Sequence, residues 1–106
     1  MKEQDFMEIV DRQHTFRKSL LSNPDKKRTA GTDDRLLQFR RMAAMRKCTV
    51  ESAAIDLCTK QFTDLIDMAD CSHPKHNDVK FLSDLIADVQ NYLDILLAIT
   101  TERVPT

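Results

Sequence analysis

The stretch 78-DVKFLSDLIADVQNYLDILLAITTE-102 decides how the chain is read. At about 100° per residue, Leu82, Leu85, Ile86, Val89, Leu93 and Leu96 fall on one broad apolar face of a helix. Asp84, Asp88 and Asn91 fall on a narrow stripe at the edge of that face, stacked in a row by their i, i+4, i+7 spacing. Two carboxylates one turn apart repel by a few tenths of a kcal/mol in an isolated helix. A divalent cation would remove that repulsion, because Mg²⁺ favours carboxylate and carboxamide oxygens. The alternative is an ordinary solvated flank.

Upstream lies 71-CSHPKHND-78, a short loop with Pro74 and, at its end, Asn77 or Asp78 to cap the last helix. Before it, the spacing predicts a third helix over about 50–70, with Ala54, Leu57, Cys58, Leu65 and Met68 as its apolar face. Lys60, Asp64 and Asp67 recur there at i, i+4, i+7, a second polar stripe beside a core face. Thr49 is placed to cap this helix, with Ser52 in the Glu/Gln position of an imperfect capping box. A second helix is predicted over 33-DDRLLQFRRMAAMRK-47, capped by Thr32 or Asp33, with Leu36, Phe39, Met42 and Ala43 inward. The segment 22-SNPDKKRTAGT-32 interrupts the pattern, because Asn23-Pro24 breaks a helix and Gly31 is the only glycine. An amphipathic first helix over 3–21 carries Phe6, Ile9, Val10, Gln13, Phe16 and Leu20 at helical spacing. Gln13 lies on the inner stripe, where a polar side chain is normally satisfied by a neighbouring backbone group.

The expected architecture is therefore all-α, a single four-helix, bundle-like domain spanning 1–106. Charged residues make up 31% of the chain and the net charge is −1, which argues against a nucleic-acid binder. There is no run of eighteen apolar residues, and 1-MKEQDFMEIVDR-12 is charged throughout, so a soluble cytoplasmic protein without a membrane span is expected. Cys48, Cys58 and Cys71 are odd in number and lack CxxC spacing, which fits reduced thiols. A chain this short buries only about two thirds of its unfolded surface. A homo-oligomer, most simply a two-fold dimer, is expected, with Leu97 and Ile99 turned away from the main face as additional contacts.

Three clusters are candidate sites. A short loop makes the third and fourth helices antiparallel neighbours. If their polar stripes face each other, Asp64, Asp67, Asp84 and Asp88 converge and hold Mg²⁺. Otherwise they are two independent flanks. Cys71, His73 and His76 have soft and imidazole ligands close in sequence and could take Zn²⁺, but their spacing is not that of a standard finger, and a polar surface loop is the plainer reading. Arg35, Arg40, Arg41 and Lys60 suit phosphate contacts, and are also what the solvent side of an amphipathic helix carries. Lys60 has a simple alternative in an i, i+4 ion pair with Asp64. No GxxxxGK[ST], GxSxG or glycine-rich phosphate loop is present.

The order 34-DRLLQF-39, 60-KQFTDLIDM-68 and 84-DLIADVQNYLDILLA-98 resembles small phage and prophage proteins related to the MazG-like all-α nucleoside triphosphate pyrophosphohydrolases. The resemblance runs from about Ile9 to Ile99, and its most specific piece is Asp88-x-x-Asn91-Tyr92-Leu93. It implies Mg²⁺-dependent cleavage of a (deoxy)nucleoside triphosphate between its α and β phosphates. On this reading Asp67, Asp84 and Asp88, with Asp64 as a further candidate, ligate the metal, and Lys60, Asn91, Arg40 and Arg41 face the nucleotide. Departures are visible too. Asp84 stands where the family has Glu, Gln61 replaces His, Gln38 replaces Asn and Leu85 replaces Lys. The second function carried forward is accordingly a non-catalytic helical protein–protein interaction module, the family fold kept and its site degenerate.

Overall fold

The computed structural model describes residues 1–22 and 36–104. Four helices account for nearly all of them: α1 (Glu3–Ser22), α2 (Leu37–Arg46), α3 (Val50–Ala69) and α4 (Val79–Arg103). No strand occurs among the described residues, so the chain is all-α and bundle-like. The polar stretch after Ser22, the proposed cap at Thr32 or Asp33, and Asp34 and Arg35 lie outside the described residues.

Local chemistry sets the helix starts. Thr49 adopts an extended backbone and its hydroxyl oxygen accepts from the Ser52 N–H at 3.1 Å, starting α3 as its sequence signature predicts. Asp78 does the same for α4, its carboxylate accepting from the Phe81 N–H at 3.0 Å. The helix ends are less conventional. At the end of α2, Lys47 takes the left-handed conformation (φ 55°, ψ 46°); the Cys48 N–H donates to the Ala43 carbonyl at 3.1 Å and the Lys47 N–H to Ala44 at 3.4 Å. The end of α3 repeats the pattern with Cys71 at φ 59°. There the Ser72 N–H donates to Asp67 at 2.9 Å and the Cys71 N–H to Met68 at 3.2 Å. This pair of crossed bonds is the Schellman closure, which glycine usually occupies.

α3 packs against both α2 and α4, side chains at the start of α2 also reach the far end of α4, and α1 packs against α4 alone. Small side chains let α3 and α4 come close: Ala53, Ala54 and Cys58 on α3 are wholly buried. Leu85, Val89 and Ile99 bury along one side of α4. Leu36 and Phe39, at and just inside the start of α2, meet Ala54 and Ile99 in a core cluster, with Val50, Leu57, Tyr92 and Ile95 packed around it. Ile99 therefore does not turn outward as expected: it is 5% exposed, because α2 folds back over the far end of α4. Leu97 does face solvent, 66% exposed. Leu93, placed on the inner face by periodicity, is also exposed.

The other side of α4 receives α1. Gln13 donates through Nε2 to the Ser83 carbonyl at 2.8 Å, and the Ser83 hydroxyl donates back to Gln13 Oε1 at 2.6 Å. The polar residue on the inner stripe is thus satisfied by a neighbour, as expected. Arg17 pairs with Asp94 and donates to Asn91 Oδ1 at 3.5 Å. Ser83, Asn91 and Asp94 line one stripe of α4, and Ala87, one turn from Ser83 and from Asn91, is wholly buried beneath the crossing. No residue of α1 is itself buried. Its apolar face is better covered at Gln13, Phe16 and Leu20 than at Phe6 (51% exposed), Ile9 (42%) and Val10, which are exposed.

Candidate functional site

The carboxylates of the two acidic stripes have separate surroundings. Asp64 faces Lys60 Nζ at 3.6 Å, one turn back on α3, and His73 Nε2 at 3.8 Å from the loop. Asp84 faces Lys80 Nζ at 3.5 Å on α4. Asp88 is exposed on α4 and lies close enough to the Cys58 thiol of α3 to help raise its pKa. Asp67 is half-buried, and its backbone carbonyl closes the end of α3. Among the described residues no three His, Cys, Asp or Glu side chains come together to hold a metal ion. The four aspartates therefore do not make the cradle that two facing stripes would have made.

The packing explains this. The side of α4 that carries Asn91 is given to α1, and the seam toward α3 is filled by Leu85, Val89 and small α3 residues. With α4 gripped on two sides, its rotation about its own axis is fixed by apolar contacts and by the Arg17 pair, leaving Asp84 and Asp88 at the edges.

The residues proposed to face a nucleotide are spread across three helices. Lys60 is exposed on α3 and engaged with Asp64. Arg40 of α2 donates to Glu102 of α4 at 2.9 Å, bracing the ends of those helices together, and Arg41 beside it is exposed. Asn91 sits half-buried under α1, accepting from Arg17. Along α4, Asn91 and Glu102 are about 16 Å apart at 1.5 Å per residue, so Arg40 and Asn91 belong to different regions of the molecule.

The loop candidate resolves into a structural clasp. His73 Nδ1 accepts from the Lys75 N–H at 3.0 Å, which leaves the neutral ring's proton on Nε2, facing Asp64. The same ring lies 4.9 Å from the Phe81 ring, centroid to centroid, at 31°. His73 thereby ties the end of α3, the loop and the first turn of α4 together. His76, exposed, is placed by the His73 carbonyl at 3.0 Å, and Cys71 is exposed at the left-handed position. These residues likewise form no group of three potential metal ligands among the described residues.

The thiols are all unpaired as disulfides: Cys58 buried, Cys48 half-buried, Cys71 exposed. Burial pushes the Cys58 thiol above its ordinary value, and the nearby Asp88 carboxylate pushes it further the same way. A thiol held protonated in the seam between two helices is a packing group, not a nucleophile.

No known protein-family model matches the chain, nor does any curated protein or solved structure. The geometry alone therefore carries the functional argument, and its most distinctive feature is at α1. An open cleft lies between α1 and the start of α4, lined by Ile9, Arg12, Gln13 and Phe16 on one side and by Val79, Lys80 and Ser83 on the other. Phe6 continues the apolar side of α1 past the cleft, exposed. Sequence periodicity identified this face but not that it would lack a cover; the only available signal was its length, which exceeds what the α4 crossing can occupy. No described helix is long and apolar enough to cross a membrane.

Proposed function

We propose that this chain is a non-catalytic helical protein–protein interaction module. The observation that carries the reading is the uncovered apolar half of α1: Phe6, Met7, Ile9 and Val10 are all exposed beside an apolar cleft. Scattered exposed apolar residues are normal on a protein surface, but contiguous ones next to a concavity mark sites of association. The packing of the helices supports the same view. α1 touches only α4, so nothing within the described chain closes the layer over it.

The competing reading is a Mg²⁺-dependent nucleoside triphosphate pyrophosphohydrolase, supported by the resemblance of the 60–68 and 84–98 segments. Its present form is a metal held by one or two of Asp64, Asp67, Asp84 and Asp88, with substrate phosphates completing the shell. Of the residues it would use, Lys60 is paired with Asp64 and Arg40 with Glu102, whereas Asn91 accepts from Arg17.

One experiment separates the two. Purified chain is incubated with canonical ribo- and deoxynucleoside triphosphates and Mg²⁺, and pyrophosphate release is measured. The interaction reading expects no release above the background of a protein-free control. Turnover that disappears in Asp88→Asn would replace it with the pyrophosphohydrolase reading.

A further inference from the structure

We infer that the cleft between α1 and the start of α4 receives the first two turns of α1 from a second copy of this chain, each copy filling the other's cleft across a two-fold axis. This names the partner for the interaction reading above and rests on it. The convex and concave halves of such a contact are both present and adjacent on one surface. Phe6 projects from α1 one turn before Ile9, and Ile9 already belongs to the cleft wall with Phe16 and Val79. An axis passing near Ile9 would seat each Phe6 against the other copy's Ile9, Phe16 and Val79. Such reciprocity is what an isologous contact requires, residue i meeting j while j meets i.

Charge favours a second copy over an unrelated partner. From Glu3 to Asp11, α1 carries Glu3, Asp5, Glu8 and Asp11 and no basic residue. From Arg12 to Ser22 it carries Arg12, Arg17 and Lys18 and no acidic one. An antiparallel crossing of two α1 helices centred near Ile9 sets Asp5 of each level with Arg12 and Gln13 of the other. On the helical wheel Asp5 and Arg12 flank the same edge of the apolar face, and in an antiparallel pair like edges meet. Asp5 of one copy therefore faces Arg12 of the other at the cleft rim, where Lys80 adds a second cation already shared with Asp84 and laid over the Phe16 ring. Opposed charges at a rim set orientation and partner choice more than raw affinity.

The test is sedimentation velocity from about 1 µM to 1 mM on wild type and on Phe6→Ala, Asp5→Arg and Arg12→Glu. All three side chains are at the surface, so the fold survives their replacement, which circular dichroism checks. Wild type should reach twice the mass of the chain, and each variant should raise the dimer dissociation constant at least about tenfold, as loss of a central anchor or of a rim pair does. Asp5→Arg mixed with Arg12→Glu should recover a heterodimer, because each chain then offers the charge the other lacks. A wild type that stays monomeric throughout, or a dimer indifferent to all three substitutions and to the mixing, overturns the inference. Neither outcome touches the interaction reading itself, which fails instead on nucleotide turnover.

Discussion

At the residue scale, three positions tie conformation to energy. Lys47 and Cys71 hold left-handed backbone angles at the ends of α2 and α3. A side chain with a Cβ costs about 1 kcal/mol there, which glycine avoids. Lys47→Gly and Cys71→Gly should each raise the thermal midpoint by about 4 °C, a shift expected for roughly 1 kcal/mol in a domain of this size. Unchanged or lower midpoints in scanning calorimetry would show that the closures are not strained. Sequence gave no warning of either, since the usual glycine is absent and a non-glycine closure is visible only in the carbonyls it satisfies. Cys58 makes a pH prediction. Its folded-state pKa lies above the ordinary thiol value of 9.0, so the unfolded chain ionises first as pH rises. The stability this contributes is full below that value and is lost as pH climbs from it through the raised folded-state pKa. Denaturant unfolding between pH 8 and 10.5 should show a decline that is smaller in Cys58→Ala, although that variant starts lower because it opens a small cavity in the seam. Equal slopes would contradict it.

At the element scale, helices α1, α3 and α4 were legible almost to their ends because their signals are local: the apolar period, Thr49 and Asp78 as caps, Pro74 in the connecting loop. What periodicity could not supply was which neighbour covers which face. Ile99 falls outside the main apolar face of α4, and it is buried because Leu36 and Phe39 at the start of α2 cover it from a second side. The acidic stripes were legible as stripes, but their convergence depends on how two helices are rotated, and the contacts with α1 and the small-residue seam decide that. The α1–α4 crossing rests on few groups, with Gln13 and Ser83 exchanging two hydrogen bonds. Replacing Gln13 with Ala removes both, and leaves the Ser83 hydroxyl half-buried without that acceptor. A loss of about 1–2 kcal/mol is expected in urea unfolding. Gln13→Glu tests the detail: a carboxylate cannot donate to the Ser83 carbonyl, so it should recover only part of the loss. A fully silent Gln13→Ala would mean that α1 is held by the Arg17–Asp94 pair and Phe16 alone.

At the scale of the whole molecule, the fold class was readable and the openness of the layer was not. Four amphipathic helices permit a closed bundle, but α1 packs against α4 alone, with its first two turns beyond the α4 crossing. An edge helix with an uncovered apolar face is stable when something else covers it, and that dependence is the central claim. It is tested most directly by amide hydrogen exchange across residues 3–12 at protein concentrations from about 1 µM to 1 mM. Those amides are held only by helical bonds in the single chain, so they should exchange quickly when dilute and slow markedly as copies pair, while the α3–α4 seam is protected at both extremes. Exchange of residues 3–12 that stays fast and independent of concentration would contradict the claim that a second copy covers this face.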